Sequence, residues 1–205
     1  MKSRNIQAVL FDFGGVIAEE GFRNGLIKIA EEQNLALSDI TKQGMQAVYD
    51  SGFVLGNGNA SEFWALLKHR TGIKGSDDIL TQRILDGFIV RHWMVELVKR
   101  LHDNAYLTGI LSDQTNWLDL LDAKYQFYDC FDYIYNSFYK GKGKRDSSTF
   151  NDVAQELGIP ESSILFVDDD LGNVTRARKS GFQVIHYIDK TQFLNELNET
   201  LDLQI

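Results

Sequence analysis

The chain has 205 residues, one cysteine and a formal net charge of -8. A single cysteine excludes an internal disulfide and any cysteine-based zinc cluster, and the acidic balance argues against non-specific binding to nucleic acid. The length suits one domain, or one domain with an insertion, and can bury a core without covalent staples.

Met1 to Arg4 is basic, but the apolar run that follows is short and breaks at Asp12, so neither a signal sequence nor a membrane span is expected. A soluble cytoplasmic protein is the expectation, with Cys130 a buried core thiol in a reducing compartment. The run lies within Ile6 to Ile17, IQAVLFDFGGVI. Its Val, Ile and Phe content and its length read as a buried parallel strand. Gly14 and Gly15 turn the chain. Asp12 is thereby left at the strand's carboxyl end, where open α/β sheets bind ligands. The plainer reading of Asp12 is a helix cap or a loop carboxylate.

From about Phe22 to Arg91 the pattern is helical. Leu26, Ile29 and Ala30 recur at helical spacing. After a break near Asn34 and a capping-type Ser38-Asp39, a second helix runs through Met45, Val48 and Tyr49. Gly52 to Asn59 is a loop, Ser61 starts a third helix with Phe63, Trp64, Leu66 and Leu67, and a fourth is predicted over Ile79 to Phe88. This block reads as an all-helical insertion. Tyr49, Phe63 and Trp64 are expected in its core, His69 and Arg70 on a solvated face, and His92 and Trp93 where the chain rejoins the sheet.

Strands and helices then alternate. Ala105 to Leu111 is a strand ending in Ser112-Asp113, followed by the helix Trp117 to Lys124 and the strand Phe131 to Asn136. The basic glycine loop Tyr139 to Arg145 precedes the helix Ser148 to Leu157, with Asp146 as its expected cap. Ile164 to Val167 is a strand ending in Asp168-Asp169-Asp170. The helix Val174 to Lys179 is closed by Gly181, the last strand is Gln183 to Tyr187, and a terminal helix covers Gln192 to Leu201. This order predicts right-handed crossovers and a parallel sheet covered on both faces. Asp12, Ser112-Asp113 and Asp168 to Asp170 then share one sheet edge, and that edge is the expected site.

Carboxylates from separate strands, without His or Cys, suit a hard cation, Mg2+ first. Lys140, Lys142 or Lys144 offers a compact charge for phosphate, and Ser112 a hydroxyl donor. An aspartate can also attack phosphorus. Two anions must then approach, and at about 4 Å and an effective dielectric of about 20 their repulsion is roughly 4 kcal/mol. A divalent cation and a lysine would offset it.

The chain resembles the haloacid dehalogenase-like (HAD) hydrolases, in the subfamily with a helical cap inserted after the first motif. FDFGGV is similar to motif I, with Asp12 as nucleophile; GILSDQ to motif II, with Ser112 at the phosphate position; GKGKRDSSTF to motif III, selecting Lys144, with Arg145 and Ser147 where prolines are usual; and LFVDDDLGNV to motif IV. The resemblance implies a Rossmann-like three-layer α/β sheet in strand order 3-2-1-4-5, with residues 1–18 and 93–205 as core and 19–92 as cap. It implies Mg2+ on Asp12, the Gly14 carbonyl and Asp169, with Asp168 direct or through water and Asn173 behind. It further implies phosphate binding by Ser112, Asp113, Lys144 and Gly15, and a small phosphorylated metabolite as substrate.

One position departs from the pattern. Family phosphatases commonly carry a second aspartate two residues after the nucleophile, to protonate the leaving group and then activate water; here it is Gly14. Such help is worth ~10²–10⁴-fold, and Glu19, Glu20 and Asp113 are the nearby substitutes. The expected function is Mg2+-dependent hydrolysis of a phosphate monoester through an aspartyl-phosphate on Asp12. The alternatives are a metal-independent dehalogenase-type hydrolase and a non-catalytic protein that retains the pocket.

Overall fold

The computed structural model describes residues 6–201. It opens with β1 (Ala8–Phe11), continues through four helices, α1 (Gly21–Glu32), α2 (Leu37–Asp50), α3 (Ala60–Thr71) and α4 (Asp77–Gly87), and returns through α5 (His92–Asp103) to β2 (Leu107–Ser112). The remainder is α6 (Trp117–Tyr125), β3 (Tyr133–Asn136), the single turn α7 (Ser137–Lys140), α8 (Ser148–Leu157), β4 (Ile164–Asp168), α9 (Leu171–Lys179), β5 (Gln183–His186) and α10 (Lys190–Leu201). The five strands form one parallel sheet in the order β3-β2-β1-β4-β5, a Rossmann-like α/β fold, as expected.

Each strand is apolar on both faces because both are covered. Val9, Phe11, Leu165 and Val167 enter the layer holding α5, α6, α10 and the helical block. Ala8, Leu10, Ile164 and Phe166 pack against Phe150, Val153 and Ala177 of α8 and α9. Helices of β1→β2 and β2→β3 on one face, and of β4→β5 on the other, are what right-handed crossovers require when strand order reverses about β1.

Every regular element between Gly21 and Gly87 is helical. α1 and α4 pack closely: a Cβ on Gly25 would lie 2.5 Å from the Ile84 Cα, and one on Gly87 2.3 Å from the Gly21 carbonyl oxygen. The block shares its core with the sheet layer. Phe53, Phe63 and Trp64 surround Trp117 of α6, with ring centroids 5.2, 5.9 and 6.0 Å away.

Several local expectations are corrected. α3 starts one residue before Ser61, under a capping box between Asn59 and Glu62. Ser38 and Asp39 lie inside the first turn of α2, whose N-cap is Ala36 with no side-chain bond. Asp146 precedes the cap residue of α8 but still accepts from the Ser148 N–H at 2.9 Å. α7 interrupts the expected glycine loop. Cys130 is half-buried rather than buried. Tyr49 packs half-buried against the core and also lines a cavity, whereas Phe63 and Trp64 are fully buried as expected.

The two connections between helices and sheet run side by side. The Glu19 N–H bonds the Ile89 carbonyl at 2.9 Å and the Arg91 N–H the Ile17 carbonyl at 2.8 Å. The Arg91 side chain clamps them, donating to the Gly15 and Val16 carbonyls at 2.5 and 2.8 Å and to both Glu19 oxygens at 3.0 and 3.1 Å. Truncating a buried donor leaves its acceptors unsatisfied. Arg91→Met is therefore expected to lose about 2 kcal/mol of stability in urea unfolding; an unchanged midpoint would show that the clamp contributes nothing.

Candidate active site

Asp12 follows β1 directly, and its N–H still bonds the Val167 carbonyl of β4 at 2.9 Å. The sheet therefore delivers its carboxylate beside the end of β4. Oδ1 accepts from the Ser112 hydroxyl at 2.5 Å and from the Phe13 N–H at 2.7 Å. Oδ2 lies 2.7 Å from Lys144 Nζ, which reaches Asp168 Oδ2 at 2.6 Å. Lys144 is 1% exposed and Asp168 fully buried. Asp168 is completed by the Asn173 amide at 3.0 Å and the Asp170 N–H at 2.7 Å.

Asp169 is the third carboxylate. One oxygen from each of Asp12, Asp168 and Asp169 lies within 4.8 Å of the others. Gly15 makes room for it: φ is +82°, and a Cβ would sit 2.3 Å from Asp169 Oδ2, so both backbone and space demand glycine.

Burial, aided by the charge of Asp12, pushes the Asp169 carboxyl up to about 6. Burial pushes Asp168 up to about 7 against the opposing pull of Lys144. Burial would lower the Lys144 ammonium, but Asp12, Asp168 and Asp113 outweigh it and hold the lysine firmly charged. Glu20 is raised to about 7, by burial and then by Asp169 and Asp12, although the Arg23 N–H opposes this. Three carboxylates thus meet one ammonium. The surplus negative charge calls for protons or a cation, and an all-oxygen donor set fits a hard divalent ion.

A cavity of about 550 Å³ opens over this edge. Asp12, Gly14, Asp113, Lys144 and Asp169 line it; Ser112, Gly15 and Asp168 lie behind the wall. The edge thus gathers Asp12, Gly14, Gly15, Ser112, Asp113, Lys144, Asp168 and Asp169, the residues that the resemblance assigns to metal and phosphate. Lys140 and Lys142 point away, to Glu156 and Asp152. Asp113 braces the wall: Oδ1 accepts from the Lys144 N–H at 2.8 Å and Oδ2 from the Tyr49 hydroxyl at 3.1 Å. Glu19 belongs to Arg91, whereas Glu20 lines the cavity.

Sequence reasoning missed the roof. Thr41, Met45 and Tyr49, one turn apart on α2, face the cavity with Arg23 and Lys42. The Arg145 guanidinium lies 3.4 Å from the Tyr49 ring centroid. The i, i+4, i+8 spacing of the α2 residues was visible, but not what that face would meet.

The sheet edge and its carboxylates define an α/β protein with an acidic, oxygen-ligand site at the strand-order reversal. A family model for haloacid dehalogenase-like hydrolases matches residues 6–181. The chain belongs to that family. Among solved structures it is similar to a predicted HAD-like family hydrolase from Porphyromonas gingivalis (21% identity, 98% of this chain and 100% of that one, TM-score 0.73). A HAD family enzyme from Bacteroides thetaiotaomicron, in complex with magnesium and inorganic phosphate, is 20% identical over 88% of this chain and 93% of that one, with TM-score 0.63. The L-2-haloacid dehalogenase of Xanthobacter autotrophicus, with chloropropionic acid covalently bound, is 18% identical over 95% and 83%, with TM-score 0.66. A drimenol cyclase of Aspergillus calidoustus is 32% identical over 79 residues, which cover 38% of this chain and 15% of the cyclase. No helix among the described residues is long and apolar enough to cross a membrane.

Two stability experiments follow. Lys144→Met leaves two buried carboxylates without their ammonium, a change expected to cost about 3–5 kcal/mol in chelator, with part of the loss recovered in millimolar Mg2+; equal loss in both media would refute a cation-compensated edge. The raised carboxyls also set a pH slope. Above its unfolded value and below its raised folded value, each binds more protons folded than unfolded, so stability falls as pH rises through that window. In chelator the melting temperature is expected to be higher near pH 5.5 than near pH 8, from Asp169, Asp168 and Glu20, and saturating Mg2+ should flatten the slope. A slope of opposite sign counts against the raised values.

Proposed function

We propose that the protein is a Mg2+-dependent hydrolase of a small phosphate monoester, acting through an aspartyl-phosphate on Asp12. The observation that carries this reading is the held Asp12 carboxylate. It is fixed by Ser112, Lys144 and the Phe13 N–H, faces the cavity, and shares an all-oxygen cluster with Asp168 and Asp169. In-line attack by Asp12 on phosphorus breaks the ester P–O bond and forms the acyl phosphate. Lys144 lowers the repulsion between nucleophile and substrate, and with Ser112 holds the phosphoryl oxygens. Gly15 keeps the turn open beside them.

Asp12, Asp169 and the Gly14 carbonyl are the residues that would hold Mg2+, with Asp168 supporting. When bound, it supplies the charge neutralisation that phosphoryl transfer needs. The magnesium and phosphate complex of the Bacteroides relative supports this choice. The dehalogenase relative supports the family's carbon-attacking chemistry, but such chemistry has no use for the doubled carboxylate at Asp168 and Asp169. In the same reading residues 19–92 form a cap that excludes water, and the protein works in the cytoplasm on a small phosphorylated metabolite rather than on nucleic acid or at a membrane.

The test is hydrolysis of para-nitrophenyl phosphate. Turnover is expected with Mg2+, absent with EDTA, and reduced by about 10³-fold or more in Asp12→Asn. Halide release that is indifferent to EDTA would instead establish the dehalogenase.

A further inference from the structure

We propose that Glu20 is the general acid and general base of this site, occupying from the helical block the space left open at Gly14. The inference rests on the phosphatase reading. A Cβ built on Gly14 would lie 3.5 Å from Gln114 Nε2 and from Phe88 Cε1, and 3.9 Å from Glu20 Oε1. Glu20 Oε1 thus lies beside the position at which family phosphatases commonly carry their second aspartate.

The carboxylate is positioned by its own helix. Glu20 is the N-cap of α1, and its Oε2 accepts from the Arg23 N–H at 2.9 Å. Oε1 has no hydrogen bond among the described residues. One oxygen anchors the group while the other is available to the cavity. The remaining acids of the cavity wall have other commitments. Asp12 is held by Ser112 and Lys144, Asp113 by Tyr49 and the Lys144 N–H, and Asp170 by the Asn173 N–H as the cap of α9. Asp169 belongs to the cation cluster. Glu20 is half-buried on the cavity wall, and a carboxyl can serve as acid and then as base.

The chemistry requires such a group whenever the leaving oxygen is an alkoxide. As an Asp12 oxygen bonds phosphorus and the ester P–O bond breaks, the Glu20 proton passes to the departing oxygen, releasing a neutral alcohol. The resulting Glu20 carboxylate then takes a proton from a water whose oxygen bonds phosphorus. The Asp12–phosphorus link breaks, giving inorganic phosphate, free Asp12 and protonated Glu20.

The test compares leaving groups in single-turnover measurements with Mg2+. Glu20→Gln keeps an acceptor oxygen for the Arg23 N–H, and a thermal melt confirms its fold. With propyl phosphate its first turnover is expected to slow by about 10²-fold or more. With para-nitrophenyl phosphate, whose leaving group needs no proton, the first release of nitrophenolate should change only a few-fold, after which turnover stalls at hydrolysis of the acyl phosphate. Adding Gly14→Asp to Glu20→Gln should restore part of the propyl phosphate rate. Equal losses on both substrates, or no loss on propyl phosphate, overturn the assignment and leave the phosphatase standing. A wild-type protein inactive on both substrates removes the phosphatase reading and this inference with it.

Discussion

The feature on which the rest of the site depends is the buried ammonium of Lys144, bridging Asp12 and Asp168 from a position that solvent does not reach. Desolvating such ions costs several kcal/mol each, and their mutual attraction repays this only when geometry and further hydrogen bonds are good. Here they are good: Asp168 has three donors and Asp12 has Ser112, Phe13 and the lysine. Yet Asp169 adds a third carboxylate to one ammonium. A triad selected for stability alone would have been balanced or replaced by apolar side chains. The surplus negative charge at one point is better explained as a device for holding positive charge that the chain does not itself provide.

The sheet makes that device possible at little conformational cost. In-register pairing places Phe11 beside Val167 and Ile110, so the residues that leave β1, β2 and β4 at their carboxyl ends converge without further arrangement. Backbone hydrogen bonds fix the strands, and the carboxylates inherit that rigidity. The glycine loop before α8 delivers Lys144 from the side. Its register is fixed where the Asp113 carboxylate accepts the Lys144 N–H and where Arg176 donates to the Lys144 carbonyl at 2.8 Å. Side chains on strand ends and backbone-anchored turns hold geometry better than side chains on free loops.

This division explains what was legible in the sequence. Strand ends are local features: an apolar run, a polar residue and a turn signal mark Asp12, Ser112 and Asp168 without knowledge of the partner strands. Alternation of strands and helices then supplies topology, so the sheet and its site edge could be read together. The roof could not. Met45 and Tyr49 have the spacing of an amphipathic helix and Tyr49 is expected in the core, because spacing reports a face and not its neighbour. Arg91 carried no local signal, as its partners lie more than seventy residues earlier. Helix starts differ by one to three residues where more than one capping side chain is available, as at Asn59 and Ser61 and at Asp168 to Asp170.

The same division bears on how the site is completed. The strand ends and the loop before α8 together assemble a held carboxylate, a buried ammonium and an all-oxygen acidic cluster. Arg23, Lys42, Tyr49 and Glu20 come from the helical block, and the contacts that tie that block to the sheet layer include the Arg91 clamp, the aromatic cluster on Trp117, the Ser137–Val54 and Tyr125–Phe88 hydrogen bonds and the Tyr49–Asp113 hydrogen bond. The last lies on the cavity wall, and Asp113 uses its other oxygen to position Lys144. Placement of the block over the cavity is therefore coupled through a single carboxylate to the lysine that holds Asp12. Separating Tyr49 from Asp113 would therefore disturb the carboxylate that positions that lysine.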